Sequence, residues 1–358
     1  MKYRSLVSGT LGIIFFLIVG LILANFGSDY INRIVISIGI YIILTVSLVL
    51  FNGFTGVVSI GHVAFMALGA YTAAILTLSV EAKSTVLPNL PNFLAKIQMP
   101  FFPATVIAGL LCTIVALVIG SAFLRLSGNF ATVGTLALLI ITRDTLLNAD
   151  QFTRGARTFY GIQPLTNFAW IFFWIVITIF TVWRIKRSAF GRRMLATRYD
   201  SVAAKAQGIN VLKTHILAFA ISAFFTGVGG SLYAHFLLAF SPRTFYLALT
   251  FQVVAMWIIG GVASVTGGVI GAIGLTLLSE AGRLLEQGFS LGIIHIPPIY
   301  GLSQIILAIV FVLILIYRPK GLFGDREFDP LAWMERLFVK KKGLENNHGE
   351  TNISKEGG

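Results

Sequence analysis

Groups able to do covalent or metal chemistry are few in this sequence and far apart. Its five histidines, His62, His215, His235, His295 and His348, show no i, i+4 pairing and no adjacent carboxylate cluster, the spacing a metal site needs. No G-x-x-x-x-G-K-[ST] loop is present to cradle a nucleotide phosphate, and no G-x-S-x-G turn to expose a serine nucleophile. The single Cys112 rules out an intrachain disulfide and a multi-cysteine metal site, and it reads as a small core hydrophobe. Ionisable groups within apolar segments would mark an ion pathway or proton relay. They are limited to Arg143 with Asp144, and to Glu280, Arg283 and Glu286. The last three recur at i, i+3 and i+6, which places them on one helix face as a structural ion pair near a helix end. The scarcity of Asp, Glu and Lys elsewhere in the apolar segments speaks against proton-driven chemistry, and no catalytic cluster emerges.

The elements that must position these residues are membrane spans. Hydrophobic residues make up 56% of the chain, charged residues only 11%, and the mean hydropathy is +0.87. The apolar residues fall in blocks of about 18–25, the length that crosses roughly 30 Å of hydrocarbon. Spans are predicted near 6–24, 34–50, 56–79, 104–123, 129–147, 167–184, 214–236, 249–263, 268–285 and 299–317. The fold class is therefore all-α, a polytopic transmembrane protein of about ten spans (8–10). The first block follows "MKYR", lacks a small-x-small cleavage site and is read as a retained helix. The region 248–286, with its two Gly-Gly pairs, is read as two spans joined by a tight turn rather than one broken helix.

Charge placement sets the topology. Of 27 Lys and Arg, eight lie in 184–213 and eight after residue 317. With both termini inside, nineteen basic residues are cytoplasmic, six are external and two fall within spans. That bias, rather than nucleic-acid binding, accounts for the net charge of +13, since no folded basic domain is visible. Residues 1–317 form one transmembrane domain with a cytoplasmic loop at 184–213. Residues 318–358 form a cytoplasmic tail whose last part, about fifteen residues, offers almost nothing to bury and is expected to be disordered.

Small residues carry further information. "FNGFTGVVSIGHVAFMALGAYTAAI" (51–75), "SAFFTGVGGSLYA" (222–234) and "IIGGVASVTGGVIGAIG" (258–274) set glycine among alanine and serine. Such faces permit close helix contact, and unwound glycine-rich backbone can line a polar cavity. Gly56, Ser59, Gly61, His62, Gly69, Arg143, Gly260, Gly261 and Ser264 are candidates for a translocation path or for helix packing.

Six stretches, in order across roughly residues 40–275, resemble the permease subunit of branched-chain amino acid ABC importers, in its LivM-type branch. They are the segment 51–75, "LRLSGNFATVGTLALLIITRDTLLN", "FTRGARTFYGI", "DSVAAKAQGINVLKTHILAF", "SAFFTGVGGSLYAHFLLAFSPRTF" and "IIGGVASVTGGVIGA". The resemblance implies the ABC importer permease fold in a bacterial or archaeal plasma (inner) membrane. It also implies a second related permease (a heterodimer), two cytoplasmic ATPase subunits that hold ATP and Mg, and an external solute-binding protein. The chain departs from the family pattern at "LSGNFA" (126–131), before Arg143 and at "TRG" (153–155). Permeases for urea and short amides share the same skeleton, so the substrate stays open between these and amino acids, with an ion-coupled secondary carrier as the further alternative.

The resemblance also places the ATPase-coupling motif. Its E-A-A-x-x-x-G spacing falls on "VAAKAQG", with Val202 at the glutamate position followed by Ala203, Ala204 and Gly208. The residues suit a short docking helix. Asp200 or Ser201 can cap it, Ala203, Ala204 and Ala206 allow close approach, and Gly208 with Asn210 can end it. Arg192, Arg193, Arg198, Lys205 and Lys213 can pair with acidic partner groups or merely satisfy the inner charge bias. The motif is taken to extend through Ile209 into Leu217, Ala218, Phe219, Ser222 and Ala223 of the next span.

Overall fold

The computed structural model describes residues 28–125, 129–287, 289–291, 294–296, 298–318, 321–324 and 327. The span expected at 6–24 and the last residues of the tail lie outside them. The other nine expected spans are all helices: α1 (Asp29–Leu48), α2 (His62–Thr77) and, after two short helices α3 (Val80–Val86) and α4 (Asn92–Ala95), α5 (Phe101–Phe123) and α6 (Asn129–Asn148). After a four-residue turn of helix, α7 (Asp150–Thr153), come α8 (Phe168–Arg187), α9 (Ala189–Tyr199), α10 (Ser201–Ala206) and α11 (Val211–Leu237). The chain continues with α12 (Leu247–Gly260), α13 (Val265–Glu286) and α14 (Leu302–Tyr317). Among the described residues seven helices are long and apolar enough to cross a membrane, while α2 and α14 are shorter apolar helices.

Two expected boundaries move, each for a local reason. The span expected at 56–79 begins only at His62. Before it, α1 runs into a π-turn at Val49–Gly53 and the chain unwinds from Gly56. The unwound stretch is tied by Asn52, whose side chain accepts from the Ser59 N–H (3.0 Å) and donates to the Ser59 carbonyl (3.2 Å). The region 248–286 is two helices, separated at Gly261–Ser264, where Ser264 caps α13 by accepting from the Gly267 N–H at 3.0 Å. One addition to the all-α reading is a small antiparallel hairpin, Phe289–Leu291 against Ile294–Ile296, between α13 and α14.

Burial sorts the helices. The most apolar windows of α1 and α11 are 72% buried, against 28% for α5 and α8, and nearly all of α2 is buried, so α1, α2 and α11 form the centre. In lipid, apolar area alone cannot hold helices together, because the tails are as apolar as leucine, so close packing and interhelical bonds must do it. Both occur along α11. Thr105 and Ser231 hydroxyls meet at 2.7 Å between α5 and α11, and His235 Nε2 meets Thr77 Oγ1 at 2.8 Å between α11 and α2. In the connection between α2 and α5, Lys83 is buried and donates its ammonium to the carbonyls of Leu94 and Ile97, which ties α3 to the end of α4.

The charged triplet divides. Arg283 pairs with Glu280, and both meet the Tyr30 hydroxyl, but Glu286 accepts from the Ser303 N–H and hydroxyl, each at 2.9 Å. The expected helix-end ion pair is therefore the first two residues, and the third caps α14.

Candidate functional site

The segment after α8 is built from caps at every joint. Ser188 accepts from the Gly191 N–H at 3.1 Å and starts α9. Asp200, extended at φ −154°, accepts from the N–H groups of Val202 (2.8 Å) and Ala203 (3.0 Å) and starts α10. At the other end Gly208 takes φ +78°. Its N–H donates to the Lys205 carbonyl at 2.9 Å, and the Ile209 N–H donates back to the Ala204 carbonyl at 3.1 Å. This pair of bonds is the Schellman ending, and it needs a left-handed residue where Gly208 stands. Asn210 then caps α11 by accepting from the Lys213 N–H at 3.0 Å.

The three alanines do not share one face. Ala204 is buried against the protein, while Ala203 and Ala206 are exposed together with Ser201, Lys205 and Gly208. Tyr199 and Val202, each 74% exposed, add two apolar groups to the outward surface. Further along, Leu217 lies on the outside of α11, whereas Ala218, Phe219, Ser222 and Ala223 are inside the bundle.

On its inward side the segment grips two helix breaks. His215 Nε2 meets Thr197 Oγ1 at 3.0 Å, which holds α9 to α11. Arg198 donates from Nη1 to the Gly53 carbonyl at 2.6 Å, and its side chain lies across Gly56, which has φ +78°. Gly53 in turn touches the second break: a Cβ there would sit 2.3 Å from the Val262 carbonyl oxygen. Lys186, in the last turn of α8, donates to the Ala263 carbonyl at 2.7 Å and pairs with Glu327 at 2.5 Å. Burial tends to raise the Glu327 pKa, but the Lys186 ammonium and the N–H groups of Thr266 and Val265 outweigh it, holding the carboxyl below its usual range.

Deeper in the bundle His62 joins three elements. Its Nδ1 lies 2.8 Å from Ser59 Oγ and its Nε2 lies 2.8 Å from Ser222 Oγ. Ser222 donates its one proton to the Ser47 carbonyl at 2.6 Å, so it must accept from Nε2–H, leaving Nδ1 to accept from Ser59. Ser47 and Thr226 hydroxyls, 2.9 Å apart, extend the chain of bonds. The rings of Phe51, Phe65 and Phe219 surround the imidazole, and a small cleft beside it is lined by Leu44, Leu48, Ile60, Val63, Thr226 and Thr250. His62→Ala is expected to destabilise the protein by about 2 kcal/mol, because two buried hydroxyls lose a partner and a void opens. The melting temperature of the purified protein in detergent checks this, and an unshifted melt would deny the network any stabilising role.

Of the remaining candidates only Gly61, between Ser59 and His62, adjoins that cluster. Gly61 packs against the Thr135 backbone, Gly69 against Gly227, and Gly260 against Gly267 and Gly271. Gly261, at φ +144°, and Ser264 form the α12–α13 break itself. Arg143 stacks over Tyr246, 4.4 Å from the ring centroid, and pairs with Asp144 at 3.2 Å. Among the described residues no group of three or more His, Cys, Asp or Glu could hold a metal ion. Sequence reading missed Asn52, Lys186 and Glu327, and it offered Arg198 to an acidic partner or to the charge bias, where the structure turns it inward to the Gly53 carbonyl. Lys186 looks like any other charge of a basic loop, and the carboxylate lies in the tail, so no local pattern singles them out.

Comparison with known proteins gives consistent matches. A family model described as the permease component of branched-chain amino acid transport systems matches residues 30–315. The high-affinity branched-chain amino acid transport system permease protein LivM of Escherichia coli (strain K12) is 27% identical over 317 residues, 79% of this chain and 67% of that protein. The probable branched-chain amino acid transport permease protein LivM of Methanocaldococcus jannaschii is 24% identical over 328 residues, 83% of this chain and 94% of that one. The autoinducer 2 import system permease protein LsrC of Salmonella typhi is 26% identical over 179 residues, 46% of this chain and 50% of that one. No solved structure gives a significant match.

Proposed function

Because the chain belongs to the permease family of branched-chain amino acid transport systems, we propose that it is the membrane-spanning subunit of an ATP-driven importer. Its solute is a branched-chain or similar small amino acid, delivered by an external binding protein and moved to the cytoplasm. Energy comes from two separate ATPase subunits, which hold ATP and Mg, and a second related permease completes the pore as a heterodimer. The protein sits in a bacterial or archaeal inner membrane with both termini in the cytoplasm.

One observation carries this reading. Helix α10 is capped at both ends, presents Val202, Ala203 and Ala206 outward, and follows directly on α9, whose Arg198 is tied inward to the 49–61 break. A rigid docking helix joined to unwound backbone can convert a push from a partner into a change of helix tilt. The small-residue contacts between helices permit such tilting without opening voids.

Reconstitution tests the proposal. The chain with its permease, ATPase and binding-protein partners in liposomes is expected to take up radiolabelled leucine only with ATP. Uptake by the chain alone on an ion gradient would favour a secondary carrier instead. Urea and acetamide, offered in the same assay, separate the amide-permease alternative, which the relatives named for branched-chain amino acids do not favour.

A further inference from the structure

The segment that follows α14 turns back and splints the break between α12 and α13. The last turn of α12 leaves carbonyls without helical partners, and the first turn of α13 leaves N–H groups without them. Both sets are met by the same short stretch of chain. The Leu322 N–H donates to the Ile259 carbonyl at 2.8 Å, and the Phe323 N–H to the Gly260 carbonyl at 3.0 Å. Across the break, the Glu327 carboxylate accepts from the N–H groups of Val265 and Thr266, each at 3.0 Å, and from the hydroxyls of Thr266 (2.9 Å) and Ser264 (3.1 Å). A carboxylate suits this place, since it meets the positive end of the α13 dipole.

The splint is not confined to its own helices. Lys186 bonds the same carboxylate and also the Ala263 carbonyl inside the break. Lys186 stands two residues before Ser188, where α8 hands over to α9, and α9 leads directly into Asp200 and α10. A static helix cap would need only the backbone donors that Glu327 already has. The lysine adds a charge-assisted link from the coupling side of the molecule to the splinted helix pair, with α8, α12, α13 and the tail meeting at one point.

We propose that Lys186 and Glu327 are positioning residues forming the joint through which movement of the 188–210 segment reaches α12 and α13. This rests on the importer reading above. The two ties from that segment then have separate targets: Arg198 reaches the 49–61 break and Lys186 the 261–264 break.

The test measures moles of leucine taken up per mole of ATP hydrolysed by the complete transporter in liposomes, beside its melting temperature. A purely structural cap would change the melt and the yield of active transporter, but not this ratio. Lys186→Met and Glu327→Gln are each expected to lower the ratio about tenfold with ATP hydrolysis retained, the size of effect that losing a charge-assisted bond allows. Lys186→Arg, which keeps charge and donors, is expected to stay within about twofold of wild type, since its guanidinium still bonds a carboxylate. If Glu327→Gln does not accumulate in the membrane, Lys186→Met decides alone, because Glu327 keeps its backbone donors there. A wild-type ratio in Lys186→Met, or a ratio lost equally in Lys186→Arg, overturns the joint while leaving the importer reading intact. A wild-type assembly showing no ATP-driven uptake sinks both readings together.

Discussion

Gly208→Val is expected to leave the protein inserted in the membrane while uptake falls about a hundredfold and ATP hydrolysis continues without it, the loss typical when a docking surface takes a steric clash worth a few kcal/mol. Two physical reasons converge at this residue. Gly208 holds φ +78° to close the Schellman ending of α10. A β-branched residue there costs about 1–2 kcal/mol of backbone strain and loosens the helix end. Among the described residues nothing beyond its chain neighbours lies within 4 Å of the Cβ position. The fold therefore tolerates the volume, and under the proposed function that open space is where an ATPase subunit docks. Gly208→Asn is the control, because asparagine accepts the left-handed conformation; it should keep more uptake than valine does. Measured leucine uptake and ATPase activity in reconstituted liposomes decide the matter. Normal coupled uptake by the valine variant would remove α10 as the entry point of ATP-driven motion.

Gly69→Val should have the opposite character, with a large loss of stability. A Cβ at Gly69 would sit 2.2 Å from the Gly227 carbonyl oxygen and 2.6 Å from its Cα, both backbone atoms that no rotamer change can move. Behind Gly227, a Cβ would stand 2.6 Å from Cys112 Sγ, so α2, α11 and α5 are stacked at one level with no slack. Overpacking of this kind costs about 3 kcal/mol or more. For a protein of this size, that corresponds to a melting temperature lower by roughly 4 °C. Gly274→Val is the matched comparison on α13, where nothing lies within 4 Å of the Cβ position. Thermal melts of both variants in one detergent test the claim, and equal shifts at the two glycines would mean that contact at Gly69 does not hold α2 to α11.

These residues illustrate how much of the site was readable in advance. The caps largely were: an Asp-Ser pair before an alanine run and a glycine after it are local signals, and Asp200 and Gly208 act in the way those signals imply, whereas Asn210, expected to help end α10, instead caps the start of α11. The division at 261–264 was also readable, because paired glycines disfavour a continuous helix. The unwinding before His62 was not foreseen. "NGFTGVVSIG" is apolar enough to read as helix, and only the folded structure shows that its backbone has other partners, in the side chains of Asn52, Arg198, Thr132 and Thr135. Hydropathy placed His62 within a span but could not supply Ser222, which lies 160 residues away in the chain.

By itself the sequence determined what depends on neighbours along the chain: the apolar lengths that suit a bilayer, the basic loop, the helix ends and the small faces. Its resemblance to importer permeases drew on the same local stretches. The tertiary structure alone decided which of three alanines turns inward and which two face outward. It also decided that Arg198 and Lys186, two cations among eight in 184–213, reach the two breaks. A carboxylate in the tail was drawn to the same place. The physical reason is that a charge and its counterpart are chosen by distance in space, and across 141 residues, as between Lys186 and Glu327, no sequence spacing records that distance.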